Sequence, residues 1–195
     1  MTSMSRRRAP TEAPAAPPAR RCGHTPARLK LAVPVLVLAL SVSACGGGAQ
    51  FHHSVVDTGD VRYRMPPPGD AFEQAVVDDY DLAYSHQALG TMGVHATCRD
   101  FEDVPLRALL NQLLFGTTDR QRLEQETVTL DGRGALHARY RLALDGVPLY
   151  LEAFVLSKNG CLFDFTLVTA VDHASNASGV FRHWVYGFAM LDRVR

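Results

Sequence analysis

Four cysteines and eight histidines are the side chains of this 195-residue chain whose types and spacing could do chemistry. Cys45 follows Val42, Ser43 and Ala44, an aliphatic residue and two small ones, at the end of an apolar run. A thiol in that setting can be alkylated by a diacylglycerol, and the small neighbours let a peptidase cleave the bond before it. Cys22 lies further upstream, which leaves Cys98 and Cys161 as a pair in the body of the chain. In an oxidising compartment they would form one disulfide, closing a loop of about 63 residues; otherwise they are two buried free thiols. His95 and Cys98 are three apart, a spacing that sends them to opposite faces of a strand and away from a shared metal ion. His52 and His53 fall in a linker-like stretch, and His137 falls on the polar phase of a strand. The acidic residues Asp78, Asp79 and Asp81 lack the spaced ligand ladder of a calcium loop and read as a solvated turn. The sequence has no Gly-x-Ser-x-Gly elbow, no H-E-x-x-H pair and no glycine-rich phosphate loop after a strand. No catalytic set, cofactor or metal is expected on these grounds.

The elements that would carry these residues begin with an address. Leu31 to Ala44 is an almost unbroken apolar run, interrupted by Pro34. As a helix its roughly 14 residues would rise about 21 Å, short of the roughly 30 Å hydrocarbon core, so it reads as the h-region of a signal peptide. Residues 1–30 are rich in Pro, Ala and Arg without apolar periodicity and form a long n-region. Val42, Ser43, Ala44 and Cys45 match a bacterial lipobox, in which the cysteine becomes the lipidated first residue of the mature chain. Gly46 to Gly48 then supply a flexible tether. Acyl chains on Cys45 would hold the protein on the periplasmic side of a membrane without spanning it. Gly46, where an aspartate would signal inner-membrane retention, favours the outer membrane. Arg6, Arg7 and Arg8 precede Ala-Pro-Thr-Glu instead of an apolar pair, which argues against twin-arginine export.

Charge follows the same division. Of 20 bases and 20 acids, seven bases and one acid precede Cys45, so the rest of the chain carries 13 against 19, a net −6. A nucleic-acid partner would require the opposite sign. The organisation expected is a signal peptide over 1–44, a lipidated cysteine and tether over 45–60, and a single domain over 61–195.

Within that domain Val61 to Met65 alternates apolar with basic and meets Pro66 to Gly69, the pattern of an edge or terminal strand. Leu82 to His86 and Met92 to Cys98 are extended, with a turn at Gly90. Leu106, Leu109, Leu110, Leu113 and Leu114 make one helical stripe, with Asp103 as cap, Pro105 in the first turn and Gly116 as stop. Thr118 to Gln121 has a capping-box arrangement that predicts a short second helical turn. Asp131-Gly132, Asp145-Gly146 and Asn159-Gly160 each fit a two-residue hairpin turn, which predicts a four-stranded antiparallel meander from about Glu124 to Val171. Phe181, Trp184, Val185, Phe188 and Leu191 form a closing helical stripe, capped by Ser175 or Ser178, whose spacing marks Trp184 as core. The class is α+β: an antiparallel sheet packed against two main helices.

This order of elements resembles the PsbP-like and DcrB-like lipoprotein domains. The similarity runs through VRYRMPPPGD, the LDGRGAL turn and the closing SKNGCLFDFTLVTAVDHASNASGVFRHWVYGFAML. It implies an envelope-exposed accessory or binding module without a catalytic signature. The expectation is therefore a non-catalytic lipoprotein whose partner, besides the membrane held through Cys45, is another envelope protein. The alternative is a small-molecule or lipid carrier with a pocket between sheet and helices.

Overall fold

The computed structural model describes residues 49–99 and 105–194. Val42, Ser43, Ala44 and Cys45 lie outside the described residues, as do the signal peptide, the glycine tether and the expected cap at Asp103. Among the described residues the smaller sheet comprises β1 (Gln50–His52), β2 (Val55–Asp57), β3 (Val61–Arg64) and β11 (Ala189–Arg193), in the order β1-β2-β3-β11. The larger comprises β4 (Glu73–Ala75), β5 (Leu82–His86), β6 (Gly90–Cys98), β7 (Thr117–Leu130), β8 (Arg133–Leu144), β9 (Val147–Lys158) and β10 (Cys161–Ala170). Its order is β4-β5-β6-β10-β9-β8-β7, antiparallel throughout. With two helices packed on it, the class is α+β as expected.

The meander from β7 to β10 exists because its three turns can be made. Asp131 and Gly132, Asp145 and Gly146, and Asn159 and Gly160 all take positive φ, between 47° and 80°, which matches the twist of the strands they join. β7 is an edge, and it carries Asp119, Arg120, Arg122, Glu124 and Glu126 and slips register twice, after Thr118 and after Arg122. Charges and bulges of this kind keep an edge from pairing with another chain.

Strand alternation sends the two phases of the meander to two different helices. Helix α1 (Leu106–Leu113) sets Leu109, Leu110 and the following Leu114 on Leu136, Ala138, Leu151, Ala153 and Val155. Helix α2 (Ala174–Tyr186) covers the opposite face, where Phe181, Trp184 and Val185 meet Phe154, Phe163 and Phe165. Val56, Val61 and Tyr63 of the smaller sheet join that second core. Trp184 is 1% exposed and therefore core, as its spacing implies.

The structure corrects the sequence reading in five places. Residues 49–60 are not simply tether, because β1 and β2 lie there and Val56 is fully buried. β3 is not an edge, since β2 and β11 flank it. Thr118 to Gln121 is strand and not helix, its local capping signal overridden by pairing with β8. The closing helix stops at Tyr186 without a side-chain cap from Ser175 or Ser178, so Leu191 belongs to β11 and is half exposed. His137, on the supposedly polar phase of β8, is buried, because α2 covers that face.

One glycine fixes a close approach. The ring of Tyr80 lies over Gly93, where an added Cβ would come within 2.3 Å of it. Gly93→Ala should therefore destabilise the fold by about 1–3 kcal/mol in urea unfolding, and a cost below about 0.5 kcal/mol would show that the ring moves aside freely.

Candidate functional site

The α2 face of the meander holds a polar constellation assembled by strand register. Glu126 stands opposite His137, and Glu124 opposite Arg139, across β7 and β8. Arg139 stands in turn opposite Glu152, and Arg141 opposite Tyr150, across β8 and β9. His137 is 2% exposed and Glu152 fully buried. Ion removal from water is costly, so such groups persist only with partners. Glu152 has several: His137 Nε2 at 2.8 Å, the Tyr150 hydroxyl donating at 2.8 Å, and Arg182 Nε at 3.9 Å. The other ring nitrogen of His137, Nδ1, faces Glu126 at 3.3 Å, and the ring stacks on Phe154. Arg139 pairs with Glu124 at 2.5 Å.

Titration follows from these contacts. Burial alone would raise the Glu152 carboxyl, but the hydrogen bonds it accepts from His137 and Tyr150 win and hold it below the ordinary range. Burial, reinforced by the adjacent Glu152 charge, pushes the Tyr150 phenol up to about 12. Beside this network a cleft of about 290 Å³ is lined by Arg139, Tyr150, Ala174, Ser175, Ser178 and Arg182. The Ser178 hydroxyl is close enough to Glu152 and Tyr150 to bias their protonation, yet it completes no hydrogen bond of proper geometry. Both nitrogens of His137 face carboxylates, so the imidazole is held as a bridge and is not aimed at a hydroxyl nucleophile.

The α1 face holds a second, smaller concavity of about 270 Å³, bounded by Asp78, Asp79, Tyr80, His95, Leu113, Asp164 and Thr166. Asp78 and Asp79 are exposed turn residues, with Asp79 at φ 67°, as the solvated-turn reading implies. Asp81 instead turns inward, accepting from the Ala96 amide at 2.6 Å and the Tyr63 hydroxyl at 3.2 Å. Burial raises both the Asp81 carboxyl and the Tyr63 phenol above their usual values. Burial also pushes Asp164 up to about 6, against the pull of His95. An acid with a raised native pKa binds protons more tightly folded than unfolded, so its contribution is complete below about pH 4 and declines as pH rises through about 6. Asp164→Asn should remove that decline, read as the difference between wild-type and variant Tm from pH 4 to pH 7. Parallel profiles would contradict it.

Cys98 and Cys161 form a disulfide between directly paired positions of β6 and β10, with Cα atoms 4.0 Å apart. His95 is not brought to it as a co-ligand, and it contacts Thr97 and Asp81 instead. The sequence reading missed His137 and Glu152 as a pair. A signal was present: Glu152 is the lone acid in the run VPLYLEAFVL, and an acid in an apolar strand needs a buried donor.

The architecture is that of an α+β domain in which an antiparallel meander lies between two helices. No family pattern and no curated protein matches this chain. Among solved structures it is similar to LpqN of Mycobacterium tuberculosis, described as involved in cell envelope biogenesis. The TM-score is 0.52 at 13% identity, covering 73% of this chain and 89% of that one. Cyanobacterial PsbP (CyanoP) from Synechocystis sp. PCC 6803 aligns with a TM-score of 0.49 at 13% identity, covering 77% and 99% of the two chains. A protein of unknown function from Pseudomonas aeruginosa aligns at 0.44 with 10% identity, covering 71% and 92%. At such identities the likeness to LpqN is one of fold. Among the described residues no helix is long and apolar enough to cross a membrane.

Proposed function

We propose that this chain is a bacterial lipoprotein anchored through Cys45 on the periplasmic side of the envelope, with the outer membrane favoured, and that its domain is a non-catalytic accessory module that binds another envelope protein. The observation that carries the binding role is an apolar patch at one end of the larger sheet. Phe115 is 90% exposed, Val147 56% and Leu144 42%. Thr117, two residues after Phe115, pairs with Leu144, which pairs with Val147, so the three belong to one end of the sheet. Exposed apolar groups gathered in this way mark contact surfaces. The Cys98–Cys161 bond supports an exported domain, since such bonds persist in oxidising compartments. The fold that LpqN shares offers a precedent within a cell envelope. The carrier reading loses support because Phe154, Phe163, Phe165, Phe181 and Trp184, each at most 1% exposed, fill the space between sheet and α2.

The test is palmitate labelling combined with a photo-crosslinking residue at Phe115, with the exposed Asp60 in the turn between β2 and β3 as comparison. Wild type should take up label, Cys45→Ala should not, and the Phe115 probe should trap a discrete partner that the Asp60 probe does not. Equal trapping at both positions would overturn the binding role, and absence of label would overturn the anchor.

A further inference from the structure

We propose that Glu124, Glu126 and His137 form a binding site for a divalent metal ion of the zinc class, with Glu152 orienting the imidazole from behind. One ligand atom from each of the three lies within 4.8 Å of the other two. The pair that matters most, His137 Nδ1 and Glu126 Oε1, is 3.3 Å apart. Two ligands about 2.0–2.1 Å from a shared tetrahedral ion stand about that far apart.

The protonation logic points the same way. Glu152 is fully buried, anchored by the Tyr150 hydroxyl, and accepts from His137 Nε2 at 2.8 Å. This fixes the ring proton on Nε2 and leaves the Nδ1 lone pair facing the Glu126 carboxylate. Two acceptors face to face need a cation between them, either a proton or a metal ion. A proton bridges only two atoms, whereas here a third carboxylate, that of Glu124, offers an oxygen within 4.8 Å of both. Arg139 contacts the Oε2 atom of Glu124, one of the two oxygens that carboxylate carries. A carboxylate behind the imidazole is the usual support of a metal-bound histidine, setting its tautomer and raising its basicity.

Access and selectivity follow from position. Glu124 and Glu126 lie on the edge strand β7, with side chains 35% and 52% exposed, so an ion reaches them from solvent while His137 stays buried. A nitrogen ligand beside two carboxylates suits zinc or cobalt better than calcium or magnesium, which favour all-oxygen shells. Three protein ligands leave a fourth tetrahedral position to water.

The experiment is titration of the purified chain with Co²⁺, read by its visible d–d absorption, followed by competition with Zn²⁺. Glu124→Gln and Glu126→Gln alter partly exposed side chains and keep the fold, which circular dichroism verifies, and His137→Gln is the third variant. A His52→Ala/His53→Ala chain controls for the histidine pair near the domain's start. The expected result is one tetrahedral Co²⁺ per chain, displaced by Zn²⁺, with affinity falling at least about tenfold in each glutamate variant and unchanged in the double-alanine control. No tetrahedral Co²⁺ spectrum in wild type, or equal affinity in wild type and both glutamate variants, would overturn the proposal.

Discussion

Glu152→Ala is expected to destabilise the domain by about 3–5 kcal/mol, a large part of the roughly 5–15 kcal/mol that folds a domain of this size. The cost arises less from the lost contacts than from what is left behind. His137 is buried, stacked on Phe154, and would keep one ring nitrogen without its 2.8 Å partner. The Tyr150 hydroxyl would lose its acceptor too. Replacing both members, as in His137→Leu/Glu152→Leu, should recover part of the loss, because the buried imidazole no longer stands without its partner, while the Tyr150 hydroxyl still lacks its acceptor. Urea unfolding of His137→Leu, Glu152→Leu and the double closes the cycle. If Glu152→Ala costs under 1 kcal/mol, the network is solvated and the account of this face is wrong.

Cys98→Ala/Cys161→Ala should cost about 4 kcal/mol. The bond closes a loop of 63 residues that contains α1 and the strands β7, β8 and β9, so cutting it releases most of the meander's chain entropy in the unfolded state. Because the two positions already pair in register across β6 and β10, the native strands should stay paired without the bond. The expected signature is a lower urea midpoint with unchanged near-ultraviolet circular dichroism at low denaturant. An unaltered midpoint would show that the unfolded chain is constrained by something else.

Much of this fold is legible in local pattern. Asp131-Gly132, Asp145-Gly146 and Asn159-Gly160 announce three hairpins because few dipeptides accept positive φ twice in succession. Leu106 to Leu114 announces α1 through one unbroken stripe. What local pattern does not reveal is which element covers a second face. Alternation in β8 separates Leu136, Ala138 and Tyr140 from Ala135, His137 and Arg139, but a polar phase faces water only where nothing packs on it. Here α2 arrives from forty residues downstream and converts that phase into a buried network. The same blindness placed Leu191 on a helix, since its pairing strand, β3, lies at the far end of the domain's sequence. The disulfide was readable as a pair of candidates, and register decided between bond and free thiols.

The anchor is the claim on which compartment and role both depend, and mass spectrometry of the native protein extracted from membranes addresses it directly. The account predicts a polypeptide that begins at Cys45 and bears a diacylglycerol thioether on that residue. A chain that retains Val42, Ser43 and Ala44, with an unmodified thiol at Cys45, would contradict it.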